Sequence, residues 1–131
     1  MSNVKFKGYV EKKYIPYILS KSSINLLNYS QTQYNWSRGN SSNKLFEYMA
    51  SGKPIISTVK MGYSIIEKYN CGIELKNNTA EDLAKAILKV KEFPEEQYKS
   101  IGKNAFQAAK SFDFNALTDK LEMVLKSVLQ K

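Results

Sequence analysis

Gly39-Asn40-Ser41-Ser42-Asn43-Lys44-Leu45-Phe46-Glu47-Tyr48-Met49-Ala50-Ser51-Gly52-Lys53-Pro54 decides the fold of this chain. A Gly/Asn/Ser loop leads into a short helix that starts near Asn43. Gly52-Lys53-Pro54 stops that helix and feeds the apolar strand Ile55-Ile56-Ser57-Thr58-Val59. Leu45 and Met49 share a helix face suited to packing on a sheet. Glu47 shares another face with Asn43, Lys44, Ala50 and Ser51.

Upstream, Val4-Lys5-Phe6-Lys7 alternates like a strand and closes at Gly8. Glu11 to Lys21 is helical, with Ile15, Ile18 and Leu19 on one face. Pro16 is tolerated there if the helix begins near Tyr14. Ser23 to Tyr29 is a second strand, and residues 30–42 form a long polar loop. Downstream, Tyr63 to Tyr69 is a short helix and Ile73-Glu74-Leu75 a brief strand. Thr79 caps a helix carrying Leu83, Ile87, Leu88 and Val90, with Asp82 in the capping-box position. Pro94 opens another, whose packing face is Ile101, Ala105, Ala108 and Ala109. A last helix runs from about Phe114 or Asn115 to Gln130, with Leu117, Leu121, Val124, Leu125 and Val128 at helical spacing.

Strands alternating with helices predict an α/β fold: a Rossmann-like partial parallel sheet of about four strands, flanked by helices, with a helical C-terminal tail. A doubly wound domain commonly has five or six strands. Residues 1–131 therefore read as a single domain that is the second part of a larger nucleotide-binding lobe, and residues 1–3 as an added leader.

Composition narrows the chemistry. The chain has no histidine, which excludes Ser-His-Asp and Cys-His catalysis within it and any histidine metal site. Cys71 is the lone cysteine, so no intrachain disulfide exists, and beside a Gly turn it reads as a packing residue. The net charge is +8, from 20 Lys/Arg against 12 Asp/Glu. Every basic residue but Arg38 is lysine, whereas base-reading interfaces lean on arginine forks. Sequence-specific nucleic-acid binding is therefore not expected. A Lys-rich solvated surface and a polyanion or membrane-surface patch both fit the charge.

Ligands of open parallel sheets bind beyond the carboxyl ends of the strands. The helix at Asn43 points free N–H groups toward that edge, a phosphate-binding arrangement. One exposed dipole contact contributes only about 0.3–1 kcal/mol, so further donors and a cation must add to it. Glu47 can accept two hydroxyl hydrogen bonds from a diol. A plain surface ion pair with Lys44 is the competing role.

Ser42 to Ile56 resembles the signature of family-4 retaining glycosyltransferases of the GT-B fold. Val4 to Val10, Ile15 to Leu27, Gly72-Ile73 and the Ala80–Val90 stretch extend the likeness over nearly the whole chain. The resemblance implies that Glu47 binds the ribose hydroxyls of a nucleotide sugar. It implies that N–H groups near Ser41, Ser42 and Asn43 cradle the diphosphate, and that Tyr9 and Val10 lie against the base. Lys44, by its position, adds charge near the phosphates. Many members carry a further glutamate eight positions before the second. Here that position is Gly39, so backbone donors around Gly39 and Asn40 would have to substitute.

The resemblance further implies glycosyl transfer with retention and no metal or other cofactor. The donor would be a UDP-sugar first and a GDP-sugar second. The implied setting is cell-surface polysaccharide or glycolipid biosynthesis, in the cytoplasm and peripheral to the inner membrane face, with a lipid-linked acceptor. An N-terminal acceptor-binding lobe, absent from these residues, is the expected partner, and without it the chain is expected to be inactive. A non-catalytic nucleotide-recognition or scaffolding module of the same fold is the alternative.

Overall fold

The computed structural model of the chain describes residues 3–30, 36–40 and 42–129, with only the backbone of Trp36. Ser41, Met1 and Ser2, and Gln130 at the expected end of the last helix lie outside the described residues. The strands are β1 (Asn25–Leu27), β2 (Ile55–Ser57) and β3 (Gly72–Glu74). They run parallel in the order β1-β2-β3, with Asn25 opposite Ile55 and Ile55 opposite Gly72. The helices are α1 (Ile15–Lys21), α2 (Asn43–Ala50), α3 (Ile65–Lys68), α4 (Ala80–Lys91), α5 (Glu95–Ala109) and α6 (Phe114–Leu129).

The α/β architecture is as expected, but the sheet of the described residues has three strands rather than about four. Residues 4–7 form no strand. Phe6 is 97% exposed and Val4 46%, so the alternation there has no neighbouring strand or apolar layer to bury against. An isolated short strand cannot replace that support. A 3-10 turn at Lys12–Tyr14 leads into α1, which places Pro16 in the first turn where its missing N–H does no harm.

The centre of the sheet is apolar on both faces because successive side chains point to opposite sides. Ile55 joins Leu27, Leu45, Met49, Ile66 and Ala105 in one buried cluster beneath α2, α3 and α5. Ile56 joins Leu75, Ala86 and Val90 in the other, beneath α4. Ring packing of Phe112 on Phe46 (4.9 Å) and Tyr69 (5.9 Å) brings the chain beyond α5 back against α2. The Leu117, Leu121, Val124, Leu125 and Val128 stripe of α6 stays exposed.

Two features hold α2 in place. Gly102 of α5 lies against the chain that ends α2: a Cβ there would stand 2.2 Å from the Gly52 carbonyl oxygen. Asn25, buried at the start of β1, donates to Ser51 Oγ (2.9 Å) and accepts from Ser22 Oγ (2.8 Å). One carboxamide thereby ties the end of α1 to the end of α2.

Gly102→Ala should therefore lower stability by about 1–3 kcal/mol, the usual cost of forcing atoms into a packed contact. A urea unfolding midpoint equal to that of the parent would contradict the close approach. Burial also pushes the Cys71 thiol from 9.0 up to about 11. The protonated thiol thus favours the fold fully below pH 9, and that contribution is lost as pH rises toward 11. At pH 8 a thiol reagent should label Cys71 only after denaturant is added.

Candidate functional site

The connection β1–loop–α2–β2 dictates where the site lies. The last residue of α2 hands the chain to the start of β2, so α2 runs antiparallel to the strands. Its first residues consequently stand at the carboxyl edge of the sheet. Ser42 caps it, its Oγ accepting from Leu45 N at 3.4 Å. The Asn43 and Lys44 N–H groups precede any intrahelical acceptor and face outward from that end. At the same edge the exits of β1 and β2 are joined. Thr58 N donates to Leu27 O (3.1 Å), and Thr58 Oγ1 accepts from Tyr29 N (3.0 Å).

The loop before α2 is shaped by two glycines. Gly39 has φ +85, and a Cβ there would stand 2.4 Å from the Tyr63 carbonyl oxygen. At Gly62 a Cβ would stand 2.2 Å from the Ser37 carbonyl oxygen. The two loops at the carboxyl edge thus meet backbone to backbone. Gly39 is not an empty place awaiting a carboxylate, because neither its dihedral nor its surroundings admit a side chain.

Asn40 is buried next to this contact. Its Oδ1 accepts from Ser42 N at 2.7 Å, which orients the turn into α2. Its Nδ2 is buried with no hydrogen-bond partner. Glu74, at the end of β3, accepts from Met61 N through Oε1, while Oε2 is buried and unpartnered. A buried polar atom left unpaired costs about 1–3 kcal/mol, so a bound group or water at these positions would be stabilising. Sequence reasoning missed Glu74. The available signal was an acid between two aliphatic residues of a strand.

Glu47 is half-buried, a little over one turn inside α2. The ion pairs of the described residues lie elsewhere: Lys13–Glu11, Lys99–Glu95 and Lys126–Glu122. Lys44 does not turn to Glu47; its Nζ stands 5.3 Å from the centre of the Tyr29 ring. The competing ion-pair role for Glu47 is therefore not realised. Burial raises the neighbouring Tyr48 phenol above its ordinary 10.0, and Tyr29 and Glu47 add to the rise. Tyr48 is thus a neutral O–H at physiological pH.

Glu47 lines a cavity of about 330 Å³ between α1 and α2. Lys12, Ile15, Pro16, Leu19 and Ser20 form one side, and Glu47, Ala50 and Ser51 the other. On its far side Glu47 borders a wider groove shared with Phe106, Phe112, Asp113 and Asp119. Gly39, Asn40, Ser42, Asn43 and Lys44 gather at the helix entrance. Tyr9 and Val10 are not among the residues lining the Glu47 cavity, and Tyr9 is 91% exposed. No group of three or more His, Cys, Asp or Glu among the described residues could hold a metal ion.

The family model for glycosyl transferases group 1 matches residues 1–108. The chain belongs to the group 1 glycosyltransferases. The match spans β1 to β3 and most of α5, and so includes α2 with its entrance loop and cavity. A group 1 glycosyltransferase acts on a nucleotide-sugar donor and an acceptor. No curated protein and no solved structure matches the chain. Among the described residues, no helix of this glycosyltransferase is long and apolar enough to cross a membrane.

Gly39→Glu, which would install the glutamate that the family resemblance leads one to expect there, should weaken the protein rather than improve it. Left-handed backbone costs a side-chain-bearing residue about 1–2 kcal/mol before the clash with Tyr63 is counted. Thermal unfolding at or above the parent temperature would show that the loop accommodates the acid.

Proposed function

We propose that the chain binds the nucleotide-diphosphate part of a glycosyl donor and contributes that half of the active site of a retaining, GT-B-type glycosyltransferase. The observation that carries this reading is Glu47. It is a half-buried carboxylate without an ion-pair partner, a little over one turn from helix N–H groups at the carboxyl edge of the sheet. That spacing suits one ligand carrying an anion at one end and a diol beyond it. Glu47 accepts from the ribose hydroxyls. The N–H groups of Asn43 and its neighbours, with Lys44 close by, hold the diphosphate.

In the transfer, the bond from the anomeric carbon to the diphosphate oxygen breaks as a bond to the acceptor oxygen forms on the same face. The electron pair leaves with the diphosphate, where negative charge gathers, and the diphosphate takes up the proton that the acceptor hydroxyl gives up. Fixed N–H donors at α2 stabilise that charge without reorganising. The chain's remaining contribution is to hold the donor in place for the acceptor. An acceptor-binding lobe with further cations completes the cleft, and the 131-residue chain alone binds donor without turnover. The donor is a UDP-sugar or GDP-sugar, and the acceptor a lipid-linked glycan at an anionic membrane face, where the +8 charge favours approach.

Calorimetric titration with UDP and GDP tests the reading. Binding by the parent chain, weakened about tenfold to a hundredfold by Glu47→Ala, is expected from losing hydrogen bonds to a charged acceptor. Ser42→Ala should cost about 1 kcal/mol of stability as a lost cap and weaken binding of the same nucleotide. No binding of any nucleoside diphosphate by the parent chain would defeat the proposal.

A further inference from the structure

Lys12 is the second charged group in the Glu47 cavity and faces it from the α1 side. No ion pair joins the two. The adjacent charges are already engaged, since Lys13 pairs with Glu11 at 2.8 Å. Lys12 and Glu47, with no ion pair between them, therefore line one cavity of about 330 Å³ whose other walls include Ile15, Pro16, Leu19 and Ala50. The Asn25 carboxamide, bonded to both Ser22 and Ser51, sets the separation of the two walls.

A ligand filling such a space needs hydroxyl donors toward Glu47, a flat apolar body, and an acceptor toward Lys12. A nucleoside has that order of groups. With the diphosphate at the entrance of α2 and the ribose on Glu47, the base can turn to either side of Glu47. The wider groove on the other side carries Asp113 and Asp119 beside a single lysine, Lys110, so the ligand's own sign prevails there. The cavity on the α1 side offers an apolar wall and, in Lys12, a cation to set against Glu47.

We infer that Lys12 reads the nucleobase at ring position 4, accepting the carbonyl oxygen that uracil carries there and disfavouring the isostere cytosine, which carries an amino group there. This rests on the donor-binding reading above. An ammonium has three donors and no acceptor. A base carbonyl satisfies it; an amino group in the same place sets donor against donor and leaves both unpaired. Sites built on such hydrogen bonds reject the mismatched analogue far more strongly than apolar pockets reject a size change.

The test is calorimetric titration of the 131-residue chain with UDP and CDP, for the parent, Lys12→Gln and Glu47→Ala. Lys12 is exposed in a turn with no buried residue, so Lys12→Gln should keep the parent's unfolding midpoint. The parent should prefer UDP by about tenfold or more. Lys12→Gln, whose carboxamide both donates and accepts, should bring the two affinities together, whereas Glu47→Ala should weaken both and keep their ratio. Equal UDP and CDP affinity in the parent would overturn the inference. So would a Lys12→Gln variant that loses both nucleotides alike, because Lys12 would then be a phosphate contact. Failure of the parent to bind either nucleotide would instead defeat the donor-binding reading, and this inference with it.

Discussion

The seating of α2 between the sheet and α5 is the constraint on which the rest of the structure depends. Leu45 and Met49 are fully buried against Leu27 and Ile55, which fixes the rotation of the helix about its axis. Gly102 against the Gly52 carbonyl fixes how closely α5 can approach its end. With rotation and depth set, Glu47 has no choice of direction. It emerges between α1 on one side and the chain beyond α5 on the other, while the helix entrance stands at the carboxyl edge. Burying two such side chains stabilises by about 3–6 kcal/mol, enough to hold an eight-residue helix that would not persist alone.

The carboxyl edge is organised by a second constraint, the backbone contact between the loops around Gly39 and Gly62. It explains the missing glutamate. A close approach of two main chains and a side chain at residue 39 are mutually exclusive. What the loop has in place of the carboxylate is the Asn40 carboxamide and, from β3, the Glu74 carboxylate, each with one buried atom unpaired. The polar groups at this edge are thus differently distributed from those the family pattern leads one to expect, although α2 and Glu47 stand where that pattern puts a helix and an acid.

Most of the fold is legible in the residues because the signals are local. Ser42, Ser64 and Thr79 cap α2, α3 and α4 through their own side chains. The Ile55-Ile56 pair buries opposite sides of one strand, so an apolar run without alternation correctly marks a central strand. The Val4–Lys7 segment shows where local signals stop. Its alternation is as good as that of many strands, yet a strand needs an adjacent edge, and no sequence window contains that edge. Phe6 accordingly stands in solvent. The α6 stripe is likewise a clear helical pattern whose burial depends on what lies beside it.

For the site, the residues by themselves determined the helix, its open N-terminal entrance and the acid at position 47, because capping, helical spacing and side-chain chemistry act over one or two turns. They also named Gly39 as the departure from the pattern. Only the tertiary structure decided that Glu47 is unpaired, that Lys44 lies over Tyr29, and that Lys12 rather than Tyr9 or Val10 lines the cavity. It alone revealed why position 39 excludes a side chain and that Glu74 reaches the same edge. Each of these depends on segments far apart along the chain, brought together by the crossover of a parallel sheet. Contacts of that kind are set by the packing of whole elements, which no spacing within one element encodes.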